Sequence, residues 1–199
     1  KGNYNWMKVH EQEMDSPLFE DMENLKPVIP AGSSDSAALD SVFELLNISG
    51  QPAPLAKLML IPDAWSKKSK TLSRDHQQLF NFLNSTMEPW DGPAAIAGTD
   101  NEWVIAATDR NGLRPMRYTI TKDKILCAGS ETGMVELDEK KIITKGRLGP
   151  GEIIGVRIEK GKVFTNSQIK DFLAKEYKHF NNQIVELDKK LIIKNEKPI

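Results

Sequence analysis

Cys127 is the only thiol in these 199 residues, so it is the first side chain to consider for nucleophilic chemistry. A cysteine attacks a carbonyl carbon as the thiolate, and it therefore needs a neighbouring base or cation. Cys127 lies between Leu126 and Ala128 in an apolar stretch, and no histidine is near it in the sequence. Because free cysteines are among the most buried residue types, we interpret Cys127 as a core residue and not as a nucleophile.

The three histidines are the other candidates for catalysis or metal binding. His10, His76 and His179 are scattered along the chain, and no second cysteine accompanies Cys127. Zinc sites need several such ligands, most of them at short spacings. We therefore expect no metal site.

Residues 110–115 have the sequence RNGLRP, and two arginines beside a glycine could form an anion-binding loop. The plainer interpretation is the end of a strand followed by a tight turn. Asn and Gly adopt the left-handed backbone conformations that such turns require. We favour the turn.

Residues 33–36, Ser-Ser-Asp-Ser, are all types that cap the N-terminus of a helix. Apolar residues then recur at helical spacing until Gly50. They are Leu39, Val42, Phe43 and Leu46. The pattern predicts a serine-rich turn that opens a helix, and on this evidence alone Asp35 is the helix N-cap.

The remaining pattern predicts helices first and strands afterwards. Residues 54–61 and 73–88 are predicted helices, whereas residues 8–30 read as an irregular surface connection with one helical turn at most. Residues 94–98 and 103–108 predict a hairpin whose second strand is apolar on both faces, so its sheet should be covered on both sides. Further strands are predicted at residues 117–121, 125–128, 141–144, 151–158 and 162–164. Short connections favour antiparallel pairing, and two closing helices are predicted after Ser167.

The composition argues against several classes of function. The 27 basic and 28 acidic residues give a net charge of -1, which leaves no electrostatic footprint for nucleic acid or an anionic membrane. No apolar run approaches the roughly 20 residues of a membrane span, and residues 1–10 lack the apolar core of a signal peptide. With a single unpaired cysteine as well, we expect a cytoplasmic protein of one domain.

Seven sequence blocks occur in one order and span most of the chain. They are GNYNWM (2–7), SSDSAALDSVFELL (33–46), LMLIPDAW (58–65), MEPWDGPAAIA (87–97), DRNGLRPMRY (109–118), SETG (130–133) and GRLGPGE (146–152). Together they resemble the C-terminal part of the class II glutamine amidotransferase domain of the glutamate synthase large subunit. EPWDGPA and GNYNWM favour that family over the related amidophosphoribosyltransferases, glucosamine-phosphate synthases and asparagine synthetases.

The resemblance implies an α+β fold of the N-terminal-nucleophile hydrolase type. In that fold, two antiparallel sheets are stacked and covered by helices as an αββα sandwich, here as a partial domain. Residues 1–175 would form the C-terminal part of the amidotransferase domain. Residues 176–199 would be a helical linker toward a further domain.

The resemblance also implies which catalytic and substrate-binding residues lie in this chain and which lie upstream of it. In the family an N-terminal cysteine attacks the glutamine carboxamide, and an Asn-Gly pair supplies the oxyanion donors. We expect these residues upstream of Lys1, which leaves no catalytic residue in this chain. Asp35 matches the aspartate that binds the substrate α-ammonium, a suitable partner for a carboxylate. Ser34 and Ser36 are further substrate-binding candidates, although shaping the turn is their plainer role.

For the parent enzyme, the resemblance implies hydrolysis of glutamine to glutamate and ammonia, which then aminates 2-oxoglutarate. FMN and an iron–sulfur cluster are expected in other domains, with a small subunit or ferredoxin as electron-transfer partner. The chain alone is expected to be inactive and to self-associate through exposed edges. The alternative is a noncatalytic module on the same scaffold, with a structural or a glutamine-sensing role.

Overall fold

The computed structural model describes residues 3–63, 72–87 and 89–178. Its α-helices are α1 (Asn3–His10), α2 (Asp35–Ile48), α3 (Ala53–Leu60), α4 (Arg74–Thr86) and α5 (Asn166–Glu176). Its strands are β1 (Ala95–Thr99), β2 (Trp103–Thr108), β3 (Arg117–Thr121), β4 (Leu126–Gly129), β5 (Ile142–Arg147), β6 (Ile153–Arg157) and β7 (Lys162–Phe164). The second predicted closing helix and most of the predicted linker lie outside the described residues.

The seven strands of the described residues all pair antiparallel, in two sheets. The first sheet has the order β1-β2-β6-β7, and the second has the order β4-β3-β5. The predicted hairpin is confirmed as β1 and β2, with Ala97 opposite Ala106. Together with the helices, this arrangement confirms the α+β class.

The two faces of the first sheet pack against different partners. The face that carries Trp103, Ile105 and Ile153 joins side chains from all five α-helices in the main hydrophobic core. The opposite face contributes Ala106 and Ile154 to a smaller cluster, which also includes side chains of the second sheet. The described layers are therefore helices, first sheet and second sheet.

Coverage of β2 on both faces was predicted, and it holds for only part of the strand. Ala106 is buried between the sheets, but Val104 on the same face is 46% exposed.

The interpretation of Cys127 as a core residue was wrong. Cys127 is half-buried on β4 and belongs to neither hydrophobic cluster, because the second sheet reaches the interior only through a few side chains.

The sequence pattern missed helix α1. Its residues, NYNWMKVH, have a weak apolar periodicity, and among the described side chains of residues 4–10 Met7 is the one that is buried. Hydrophobic periodicity is the main sequence signal for a helix, and here it is almost absent. The helix instead depends on tertiary contacts with α2.

Candidate substrate-binding site

Helix α2 begins at a serine cap. Ser34 has extended backbone angles (φ -70°, ψ 161°), and its Oγ accepts a hydrogen bond from the N–H of Ala37 at 3.2 Å. The Ser34 carbonyl accepts the N–H of Ala38 at 2.9 Å. Ser34 is therefore the N-cap, and Asp35 is the first helical residue. The expectation that Asp35 itself caps the helix was wrong.

The Asp35 side chain lies where two helices begin. Its Oδ1 accepts a hydrogen bond from the backbone N–H of Tyr4 at 3.0 Å. Tyr4 is the second residue of α1, and the first N–H groups of a helix have no acceptor within the helix. Asp35 also stands in the first turn of α2. Both helix dipoles favour a carboxylate at this position.

The turn before Asp35 is tight. Gly32 has a φ of +74°, a backbone conformation that residues with a side chain rarely adopt. Its N–H donates to the hydroxyl oxygen of Tyr4 at 3.0 Å. The N–H of Ser33 donates to the carbonyl of Pro30 at 3.2 Å. The Ser33 Oγ is buried and has no hydrogen-bond partner among the described residues. An unpaired buried hydroxyl is uncommon in folded proteins. The sequence did not indicate it, because Ser33 is only one of three serines in the turn.

The two other serines of the turn are exposed. Their Oγ atoms lie 3.1 Å apart, so Ser34 and Ser36 form one hydrogen-bonded pair beside Asp35. Capping already occupies the Ser34 hydroxyl. Ser36 lies at one end of a groove of about 1140 Å³ that runs between α2 and β1.

This groove lies next to the turn, between α2 and β1. Its apolar walls include Leu39 and Phe43 from α2 and Ile96 from β1, and Asp40 and Glu44 add negative charge on the helix side. Asp35 directly precedes Ser36 in the chain, but it is not among the residues that line the groove.

The sequence matches the family model for class-II glutamine amidotransferases over residues 1–182. The chain belongs to the class-II glutamine amidotransferases. It is 54% identical over 175 residues to the large chain of the NADPH glutamate synthase of Azospirillum brasilense, which covers 87% of this chain. It is 38% identical over 178 residues to the corresponding chain of Bacillus subtilis (89% of this chain) and 40% identical over 178 residues to the chloroplastic ferredoxin-dependent glutamate synthase 2 of Arabidopsis thaliana (87%). The matches span 12%, 12% and 11% of the length of those relatives.

In this amidotransferase chain, the RNGLRP segment is organised by the residue before it. Asp109 is 2% exposed, and its Oδ1 accepts the N–H groups of Ala94 and Leu113 at 3.1 and 3.0 Å, while its Oδ2 accepts that of Asn111 at 3.0 Å. Burial raises the pKa of Asp109, but these backbone donors outweigh burial and leave the pKa below its ordinary value. The loop directs its N–H groups to its own carboxylate, which supports the turn interpretation over an anion-binding loop.

A second buried charge lies in α3. Lys57 is 1% exposed, and its Nζ donates to the carbonyl of Gly151 at 2.8 Å. Burial lowers the pKa of Lys57 to about 8. Close by, Lys170 of α5 pairs with Asp63, whose Oδ1 has no hydrogen-bond partner among the described residues. Sequence reasoning missed this cluster, although one lysine in the otherwise apolar α3 was an available signal.

Cys127 and the potential metal ligands were the other sequence candidates for chemistry. Cys127 lies on β4 opposite Thr119, which is no general base. Residues 3–63, 72–87 and 89–178 contain no group of three or more His, Cys, Asp or Glu side chains that could hold a metal ion. His179 lies outside those ranges. None of the described helices is long and apolar enough to cross a membrane.

Proposed function

We propose that this chain is the C-terminal part of the glutaminase domain of a glutamate synthase. That domain hydrolyses glutamine to glutamate and ammonia, and the ammonia aminates 2-oxoglutarate elsewhere in the parent enzyme. Residues 1–175 form this part of the domain, and residues 176–199 lead toward the next one. The similarity to three glutamate synthases supports the parentage.

One observation carries the substrate assignment, namely the Asp35 carboxylate at the junction of two helix N-termini. Asp35 binds the α-ammonium of glutamine, because a charge-assisted hydrogen bond to an ammonium stabilises a complex by about 1.5–3 kcal/mol. Ser36 lies beside that ammonium at the end of the groove, and Ser34 keeps the turn in place. The Tyr4 N–H, which donates to Asp35 at 3.0 Å, supports a fixed carboxylate.

The attacking thiol is supplied from outside these residues. Glutamine hydrolysis in this proposal forms a thioester on a cysteine, releases ammonia and then hydrolyses the thioester with water. Cys127 is unsuited to this step, since it lies in the second sheet and Asp35 lies on the helical side of the first. The oxyanion donors likewise belong to another part of the parent enzyme.

The electron-transfer groups also belong to other domains. An iron–sulfur cluster is held by several cysteine thiolates, and this chain has one cysteine. The cluster is therefore assigned elsewhere in the parent enzyme. FMN is assigned there as well, on the similarity to glutamate synthases alone, with a small subunit or ferredoxin to deliver electrons.

The experiment replaces Asp35 in the full-length glutamate synthase that carries this domain. Asp35→Asn keeps an acceptor for the Tyr4 N–H but loses the negative charge. The KM for glutamine should rise about 10- to 100-fold, in proportion to a lost charge-assisted hydrogen bond. Synthesis driven by free ammonia should stay unchanged, because ammonia bypasses the glutamine pocket.

Asp35→Ala is the matched comparison, since it removes the charge and also the acceptor for the Tyr4 N–H. It should raise the KM as Asp35→Asn does, and in addition lower the free energy of unfolding by roughly 1 kcal/mol. An unchanged KM for glutamine in Asp35→Asn would refute the substrate role. In that case Asp35 has only a structural role, as the acceptor for the Tyr4 N–H between α1 and α2.

A further inference from the structure

Tyr4 contacts the Asp35 turn with two different groups. Its backbone N–H donates to the Asp35 Oδ1 at 3.0 Å, and its hydroxyl oxygen accepts the N–H of Gly32 at 3.0 Å. Gly32 and Asp35 are the two ends of the short turn that carries the carboxylate. Both ends are therefore tied to a single residue of α1, about thirty positions away in the sequence.

The Tyr4 ring is itself held in place. It is partly buried and packs against the main hydrophobic core, and Met7, one turn further along α1, is part of that core. The turn, in contrast, is exposed on both sides of Ser33. A supported ring thus restrains an otherwise exposed turn.

We propose that Tyr4 is a positioning residue for glutamine binding, which acts by fixing the Asp35 carboxylate and the turn that carries it. This inference rests on the proposed function. Hydrogen bonds between a carboxylate and an ammonium depend on direction as well as on charge. A carboxylate that is already oriented binds without a further loss of conformational entropy, so removing the restraint weakens binding.

The experiment compares Tyr4→Phe with Tyr118→Phe in the full-length enzyme. Tyr4→Phe removes the hydroxyl and keeps the ring and the backbone N–H. Tyr118→Phe removes a hydroxyl from β3 in the second sheet, away from the turn. We expect Tyr4→Phe to raise the KM for glutamine about two- to tenfold with little change in kcat, as for one lost neutral hydrogen bond. Ammonia-driven synthesis should be unchanged in both variants.

Action through Asp35 is tested with the double variant. If Tyr4 acts only by orienting the carboxylate, Tyr4→Phe should raise the KM far less when Asp35 is already Asn, because the oriented charge is gone. Amide hydrogen exchange of residues 31–37 should also be faster in Tyr4→Phe than in the wild type. Equal exchange in the two proteins would overturn the restraint on the turn.

The outcomes separate this inference from the proposed function. A raised KM in Asp35→Asn together with an unchanged KM in Tyr4→Phe would reject Tyr4 as a positioning residue and keep Asp35 as the ammonium site. An unchanged KM in Asp35→Asn would reject Asp35 as the ammonium site, and with it the premise of this inference. A lower melting temperature in Tyr4→Phe with no change in the KM would reduce Tyr4 to a structural residue.

Discussion

The carboxylate of Asp109 is almost completely buried, and it is solvated by backbone N–H groups of the loop that follows it. A buried carboxylate without such donors is costly, and the same donors would be unsatisfied without the carboxylate. Asp109 therefore sets the path of residues 110–114, including the left-handed Gly112 (φ +63°). Of the two arginines of this loop, Arg114 is exposed and Arg110 is half-buried.

We expect Asp109→Asn to lower the free energy of unfolding at pH 7 by about 2–3 kcal/mol, because an amide replaces one accepting oxygen with a donor that faces N–H groups. Asp138→Asn is the matched control. Asp138 is exposed and accepts the N–H of Lys140 at 3.0 Å, which asparagine can also accept. Urea unfolding of both variants provides the measurement, and equal losses in the two would contradict the role of Asp109.

The pH dependence of the Asp109 contribution follows from its lowered pKa. A carboxyl whose pKa is lower in the folded state contributes stability above its unfolded pKa and loses it as the pH falls through the folded pKa. The difference between wild type and Asp109→Asn should therefore shrink on acidification below about pH 4. A difference that stays constant down to pH 2 would contradict a charged Asp109 at neutral pH.

At the scale of elements, Lys57 connects α3 to the turn before β6. Its Nζ reaches the carbonyl of Gly151, 94 residues away. Gly151 has a φ of +70°, and a side chain there would contact Asp63, so this position requires glycine. The contact places α3 over the end of the first sheet and thereby supports the helix that packs beside α2.

The lowered pKa of Lys57 predicts a stability that rises with pH. Between about pH 8 and the ordinary lysine pKa of 10.5, the unfolded chain holds the proton and the folded chain does not. Stability then increases with pH, because the unfolded state binds more protons. We expect Lys57 to raise the free energy of unfolding by about 2 kcal/mol between pH 8 and pH 10.

The measurement compares the wild type with Lys57→Met and with Lys122→Met, an exposed lysine before the β3–β4 turn. Urea unfolding at pH 8 and at pH 10 gives the change for each protein. Lys57→Met should lack the additional rise, whereas Lys122→Met should keep it. The same rise in all three proteins would show that Lys57 has an ordinary pKa.

At the scale of the whole molecule, β1 leaves one edge of the first sheet open within the described residues. β2 pairs with one side of β1, and no other described strand pairs with the opposite side. Residues 95–99, AIAGT, contain no charge and no proline, the features with which proteins protect such edges. An apolar groove lies beside this edge. We therefore expect the isolated chain to self-associate.

Light scattering over a range of concentrations should show a mass that increases with concentration. Ala97→Lys places a charge in the middle of β1 and should shift the protein toward the monomer. Ala31→Lys adds the same charge to an exposed position before α2 and should leave association unchanged. A clean wild-type monomer at high concentration would disprove the prediction.

We also expect the isolated chain to release no ammonia from glutamine. Its one cysteine lies in the second sheet without a neighbouring base, and the first sheet separates it from Asp35. A glutaminase assay of the purified chain tests this. Turnover above the blank that is lost in Cys127→Ser would show that Cys127 is a nucleophile after all.

The sequence by itself determined the elements whose cause is local. The strands and the helices α2 to α5 follow from apolar periodicity and from capping or turn residues, which act over a few positions. The seven ordered blocks indicated the family because each block is a local run of sequence that can be recognised without the structure. The N-cap of α2 could not be determined in this way. Ser34 and Asp35 are neighbours and both are capping types, so the sequence pattern cannot choose between them. The extended backbone angles of Ser34 show that Ser34 is the cap.

Only the tertiary structure decided the contacts that organise the candidate site. Tyr4 meets Asp35 across 31 positions, Lys57 meets Gly151 across 94 and Lys170 meets Asp63 across 107. No local pattern encodes such pairs, because they form only when separate elements pack together. Helix α1 belongs to this group, since its weak apolar face is supported by α2 and its first turn donates to the carboxylate of Asp35.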